Sequence, residues 1–150
     1  MNQYSLFWIK PDAFYDNQDW RKDTDTLRIP LPGSEDFIQE IRDALRAQNL
    51  EIAAEKRYRV SEEIAWMHYD EHRWKVEKFN FLLGHMTSGD SYWIVFYGED
   101  AVVKGRQILA DIRNKYLLDA KWAYHNMTHA SDSEASARRE IQLHFPDFAF

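Results

Sequence analysis

"SYWIVFYGEDAVVKGRQILADIRNKYL", residues 91–117, sets a strand directly against a helix. Residues 91–98 are rich in aromatic and β-branched side chains and end at a glycine, which predicts a strand. From Glu99 onward Val102, Val103, Ile108, Leu109 and Ile112 recur mostly on one helical face. The same alternation appears upstream. "YSLFWI" (4–9) reads as a buried strand closed by Pro11, and "SEDFIQEIRDALRAQNLEI" (34–52) places Phe37, Ile38, Ile41 and Leu45 at helical spacing. Ser34 is its expected N-cap and Asn49 its stop, and the chain then enters a strand at about 50–60. Ser61 caps a short helix, and a second short helix from about Glu77 to Thr87 forms a hairpin with it. After residue 117 an extended piece at about 122–127 leads to His129. "SDSEASARREIQLHF" (131–145) then opens with a Ser-x-x-Glu capping box, Ser131 and Glu134, and continues with helix formers. The order β, α, β, two small helices, β, α, β, α predicts an α+β domain with a split βαβ core.

Composition bounds the possibilities. At 150 residues the chain has room for one domain, and its hydrophobic share of 45% with six Trp places it among globular proteins. The exception is the stretch from Asp16 to Gly33, a polar excursion ending in "RIPLPG". The chain has no cysteine, which removes disulfide and thiolate-metal chemistry and favours a cytoplasmic setting. No signal peptide and no membrane-length apolar run is expected. A formal charge of −6 argues against sequence-independent nucleic-acid binding, so an anionic ligand requires a local basic pocket.

Such a pocket has candidates. His129 stands ahead of the last helix, whose expected N-terminus offers unpaired N–H groups to a phosphate. A neutral imidazole is nucleophilic near neutral pH when its other ring nitrogen is oriented, and Glu140 on that helix is the candidate orienter. Lys10 follows the first strand, where a basic side chain reaches a ligand phosphate. Arg106 offers a bidentate guanidinium. Tyr69 and Phe79 or Phe81 offer stacking surfaces. Taken singly, each has a plainer reading: a loop histidine, solvated helix charges, core aromatics.

Taken together they resemble a known family. "IKPDAF" (9–14), "HYDEH" (68–72), "MTSGD" (86–90), "GEDAVVKGRQIL" (98–109) and "NMTHASDSEASARREI" (126–141) are similar, in order, to the motifs of the nucleoside diphosphate kinases. The last is the most specific, resembling the family's Asn-x-x-His-Gly/Ala-Ser-Asp-Ser signature followed by Ser-Ala-x-x-Glu-Ile. The resemblance implies a ferredoxin-like βαββαβ core with a four-stranded antiparallel sheet. It implies that His129 accepts the γ-phosphoryl group of a nucleoside triphosphate, with Mg²⁺ bridging the nucleotide phosphates, and passes it to a nucleoside diphosphate in a ping-pong cycle. By the same resemblance Lys10 and Arg106 contact phosphates, Tyr69 shapes the site, Asn126 contacts the sugar and phosphate region, and Ser131 and Glu140 support the histidine. ATP and other nucleotides are the expected partners, with neither nucleic acid nor membrane.

Three departures from the family stand out. The excursion at 16–33 replaces a short link. The segment after Arg106 lacks the family's Gly-x-Thr-Asn-Pro and Pro-Gly-Thr-Ile-Arg stretches, so Ile112 falls at the threonine position and Arg113 becomes the candidate second arginine, with Lys115 and Lys121 as substitutes. The stacking position falls at Lys78 or Phe79, and Phe79 is the choice. The shortened segment also points to a dimer or tetramer in place of the family's hexamer. The competing expectations are a non-catalytic module of the same fold that binds nucleotide or protein, and a phosphohistidine relay enzyme acting on a protein or small metabolite.

Overall fold

Two central strands explain why the sequence carries such unbroken apolar runs. β1 (Asn2–Ile9) and β3 (Ser91–Glu99) pair antiparallel in the register Phe7 with Ile94 and Trp8 with Trp93. Successive side chains point to opposite faces, and both faces are covered, so both sets are apolar. Phe7, Ile9, Ile94 and Phe96 face α1 (Ser34–Ala47) and α4 (Ala101–Lys115). Leu6, Trp8, Trp93 and Val95 face the other way, against α2 (Glu62–His68), α3 (Val76–Met86) and α5 (Glu134–His144). β2 (Glu51–Tyr58) pairs antiparallel with β3, and the three-residue β4 (Thr128–Ala130) pairs antiparallel with β1. The sheet order is β2-β3-β1-β4. This is the expected ferredoxin-like α+β arrangement. The computed structural model describes residues 2–11, 34–69, 76–116 and 128–150. The excursion at 16–33, the extended piece at 122–127 and Asn126 lie outside these residues.

The elements begin and end for local reasons. Asn49 adopts φ +58°, and the Leu50 N–H returns to the Leu45 carbonyl at 3.1 Å, so α1 stops where its asparagine takes the left-handed conformation. The Ser61 hydroxyl accepts from the Ile64 N–H at 3.2 Å and caps α2 as expected. Two expectations change. α5 is capped by Ser133, which accepts from the Ser136 N–H at 3.1 Å, because the Ser131 hydroxyl is engaged elsewhere. Val103 is 70% exposed, on the outer side of α4, whereas Val102, Ile108, Leu109 and Ile112 are buried. The aromatic tail folds back on its own domain: Phe148 and Phe150 each lie 5.4 Å from the Tyr4 ring. Among the described residues no helix is long and apolar enough to cross a membrane.

Gly105 lets α4 approach the sheet. A Cβ at this position would lie 2.7 Å from Cζ of Phe96, a ring with no exposure and no room to retreat. Gly105→Ala is therefore expected to lower unfolding free energy by about 1–3 kcal/mol, the usual range for overpacking a core. Chemical denaturation measures this, and an unchanged midpoint would show that the helix shifts freely.

Candidate functional site

His129 is the middle residue of β4, paired with Trp8, so its ring projects from the same face of the sheet as the Trp8 indole. The two rings meet edge to face at 6.2 Å. This corrects the placement read from sequence: the histidine belongs to the sheet, and the helix begins only at Glu134. The strand assignment could not come from "NMTHASDSE", which carries no apolar alternation. It depends on pairing with a strand more than a hundred residues away.

Two arginines hold the outer edge of that strand. The Ser131 N–H donates to the Leu6 carbonyl at 3.0 Å. In an antiparallel ladder the groups of 129 and 131 then turn toward β1 while those of 128 and 130 turn outward. These outward carbonyls would be orphaned at a sheet edge. Arg113 Nη2 donates to the Thr128 carbonyl at 3.0 Å, and Arg106 Nη1 donates to the Ala130 carbonyl at 3.1 Å. Both arginines stand on α4, seven residues apart and hence on nearly the same face. The pair brackets His129 along the backbone and brings two positive charges to its edge of the sheet.

Lys10 adds a third charge from the end of β1. It is buried, and its Nζ lies 5.2 Å from the centre of the Trp8 ring. Ser131 and Glu140 lock together beneath the strand: Ser131 Oγ donates to Glu140 Oε2 at 2.6 Å, with both residues buried. A charge-assisted hydrogen bond of this length is among the stronger polar contacts in a protein. It explains why Ser131 is not the helix cap.

Tyr69, at the end of α2, is buried against Trp8 with ring centres 6.4 Å apart. Burial, followed by the nearby Glu140 charge, raises its hydroxyl above the ordinary tyrosine range, so it stays protonated. Phe79 falls in α3, but its side chain lies outside the described residues. Ile112, at the position where the family resemblance anticipates a threonine, is a core residue packed in the cluster with Phe37 and Tyr116, and supplies no hydroxyl.

The electrostatics favour an uncharged imidazole and an anionic ligand. His129 keeps some solvent contact, yet burial drives its pKa well below the usual imidazole value, and Lys10, His68, Arg106 and Arg113 push it the same way. Its nitrogen therefore keeps a lone pair at neutral and mildly acidic pH. Arg113 has its own pKa lowered by burial and by the neighbouring Arg106 charge.

Sequence reasoning passes over two buried histidines in this region. His68 sits within "HYDEH", beside the more conspicuous Tyr69, and His144 lies four residues after Glu140 on the buried stripe of α5. A polar residue at i+4 within such a stripe is the available signal.

The fold and site define a ferredoxin-like α+β domain that presents a neutral histidine among cations at a sheet edge. A family profile described as nucleoside diphosphate kinase matches residues 33–150. A nucleoside diphosphate kinase of Methanosphaera stadtmanae is 35% identical over 160 aligned positions, spanning 100% of this chain and 90% of the relative. One from Listeria monocytogenes is 36% identical, spanning 73% of this chain and 78% of the relative. The crystal structure of a nucleoside diphosphate kinase from Encephalitozoon cuniculi superposes with a TM-score of 0.73 at 24% identity, over 97% of this chain and 90% of that one. The Aquifex aeolicus nucleoside diphosphate kinase gives 0.68, also at 24% identity, over 97% and 96% of the two chains. The chain belongs to the nucleoside diphosphate kinase family.

The depressed histidines have a measurable consequence. His129, and His144 at about 2, take up a proton less readily in the folded chain than in the unfolded one. Their contribution to stability is complete above the unfolded value, about pH 6.5, and is lost as pH falls from there toward the folded values. Unfolding free energy is expected to fall below about pH 6.5 with a slope approaching about 1.4 kcal/mol per pH unit for each imidazole. Denaturation at about pH 7 and about pH 5.5 checks this, and equal stability at the two would contradict neutral burial.

Proposed function

We propose that this chain transfers the γ-phosphoryl group of a nucleoside triphosphate, as its Mg²⁺ complex, to a nucleoside diphosphate through phosphohistidine at His129. The observation that carries this reading is the neutral His129 held on β4 by Arg106 and Arg113 within a ring of positive charge. A ring nitrogen of His129 attacks the γ-phosphorus, an N–P bond forms, and the bond from that phosphorus to the β,γ-bridging oxygen breaks, releasing the nucleoside diphosphate. In the second half a terminal oxygen of a different nucleoside diphosphate attacks the same phosphorus and the N–P bond breaks. The chemistry asks chiefly for alignment and charge neutralisation.

Lys10, Arg106 and Arg113 supply the positive charge, with Arg113 in the place of the missing second arginine. Tyr69 walls the pocket, and Ser131 and Glu140 brace the strand that carries the nucleophile. Asn126 is assigned to the sugar and phosphate region by its place in the signature, and Phe79 to stacking on the base, an interaction tolerant of base identity. The Mg²⁺ arrives with the nucleotide, whose own phosphate oxygens suit it as ligands. A single domain with an insertion at 16–33, working in the cytoplasm as a dimer or tetramer, completes the reading; the cysteine-free composition and the shortened segment before Asn126 support it.

Initial rates with Mg·ATP and varied GDP or dTDP are expected to give the parallel reciprocal plots of a ping-pong cycle, and His129→Ala is expected to abolish transfer. Arg113→Ala is expected to lower turnover or affinity about tenfold to a hundredfold, the effect of about 1.5–3 kcal/mol from one charge-assisted contact. Nucleotide binding without transfer by the unaltered protein would instead establish a non-catalytic module.

A further inference from the structure

One side chain meets three of the residues assigned to the phosphoryl site, and the transfer steps give it no part. Trp8 pairs with His129 across the strands, and the two rings meet edge to face with centres 6.2 Å apart. Lys10 Nζ lies 5.2 Å from the centre of the same indole, and the Tyr69 ring lies 6.4 Å from it. Glu140, the orienter of His129 expected from sequence, binds Ser131 through Oε2 at 2.6 Å. Among the described residues, the ring contact of His129 is the one with Trp8.

The plane of this indole is set by its neighbours. Trp93 stacks on Trp8 with ring centres 5.0 Å apart and planes 2° apart, and His144 stacks on Trp93 at 3.6 Å. His144 Nε2 lies 2.8 Å from His68 Nδ1, and the His68 ring returns to Trp8 at 5.6 Å. Four buried rings thus close a circuit, and a close-packed circuit leaves none of them room to turn. Hydrogen bonding does not explain the stacked pair, because neither indole N–H has a partner among the described residues. Apolar volume alone would be supplied at lower cost by a side chain with no N–H to desolvate. What an indole adds is a directional surface, with an edge or face for another ring and a face for a cation.

We propose that Trp8 is a positioning residue for phosphoryl transfer, whose ring fixes the plane of the His129 imidazole and seats the Lys10 ammonium beside it. The inference rests on the phosphohistidine reading. Trp8 acts through His129 and Lys10 and exchanges neither a proton nor a phosphoryl group. An imidazole already held in one plane, with a cation in place, has less rearrangement to make before it reacts.

Nuclear Overhauser effects in the full chain report the contact directly. Cross-peaks between the His129 ring protons and the Trp8 indole protons are expected, and their absence would overturn the fixed contact even where a variant fails to fold. Three variants then separate positioning from core packing. Trp8→Leu removes the ring and keeps apolar volume, and Trp8→Phe keeps a smaller ring. Trp93→Leu makes the same replacement in the same stack without removing a contact to His129. The titratable groups gathered about Trp8 and His129 are Lys10 at the end of β1, His68 and Tyr69 at the end of α2, Arg106 and Arg113 on α4, and Glu140 on α5, and every variant leaves them in place. In Trp8→Leu water reaches the imidazole, so the His129 titration followed by NMR is expected to rise toward the ordinary value of about 6.5, while in Trp93→Leu it stays depressed. Label uptake from saturating γ-labelled Mg·ATP is expected to slow about tenfold in Trp8→Leu, with Trp8→Phe and Trp93→Leu closer to the unaltered protein. Equal effects of Trp8→Leu and Trp93→Leu on uptake and titration, or unchanged uptake and titration in Trp8→Leu, would overturn the positioning role. Absence of label on the unaltered protein would overturn the phosphohistidine reading, while the cross-peaks and titrations still decide whether Trp8 fixes His129.

Discussion

The position of His129 depends on two hydrogen bonds to a strand too short to hold itself. Three residues of β4 pair with β1 on one side only, and the outer carbonyls of Thr128 and Ala130 are satisfied by Arg113 and Arg106. An edge with unmet acceptors is a structural weakness, and here two charged side chains answer it. The same charge makes the surroundings of His129 hostile to a proton and favourable to a phosphate. Structural and chemical roles fall on the same guanidinium groups. Losing either arginine is consequently a change to the strand as well as to the ligand field.

The sheet contributes the other half of the environment. Because both faces of β1 and β3 are covered, the stacked pair Trp8 and Trp93 lies wholly inside the protein, and His129 projects against that apolar wall. Desolvation from this wall is the largest cause of its lowered pKa, ahead of the cations. Lys10 gains from the same wall, resting over the Trp8 ring. The Ser131 to Glu140 bond fixes the chain just beyond His129 to α5, so the strand is anchored from α4 on one side and from α5 on the other.

What is legible in the sequence follows from how local each signal is. β1 and β3 are continuous apolar runs, and α1 places its four core residues at helical spacing, so each can be read from its own residues. β2 alternates half-buried with exposed positions and is placed by what precedes it. β4 escapes a sequence reading because its strand character comes from partners distant in the chain. Ser131 satisfies a capping pattern, but Ser133 offers the same chemistry two residues later, and a buried carboxylate competes successfully for the first hydroxyl. The candidate site residues emerge from their ordered motifs. Lys10, His129, Ser131, Glu140, Arg106 and Arg113 all gather around β4 and the end of β1, although no spacing rule places α4 beside residue 129. The contact between His144 and His68 escapes notice because hydrogen bonds between buried imidazoles leave no periodic trace.

The most direct measurement is to trap the covalent intermediate and locate it. The protein is incubated with Mg·ATP, quenched at alkaline pH where a phosphoimidazole survives, and its phosphoryl group mapped by tandem mass spectrometry. A single phosphoryl group on His129, removed on addition of a nucleoside diphosphate, is the expected result. A protein that remains unphosphorylated, or one that carries the group on another residue, would contradict the assignment of His129 as the nucleophile.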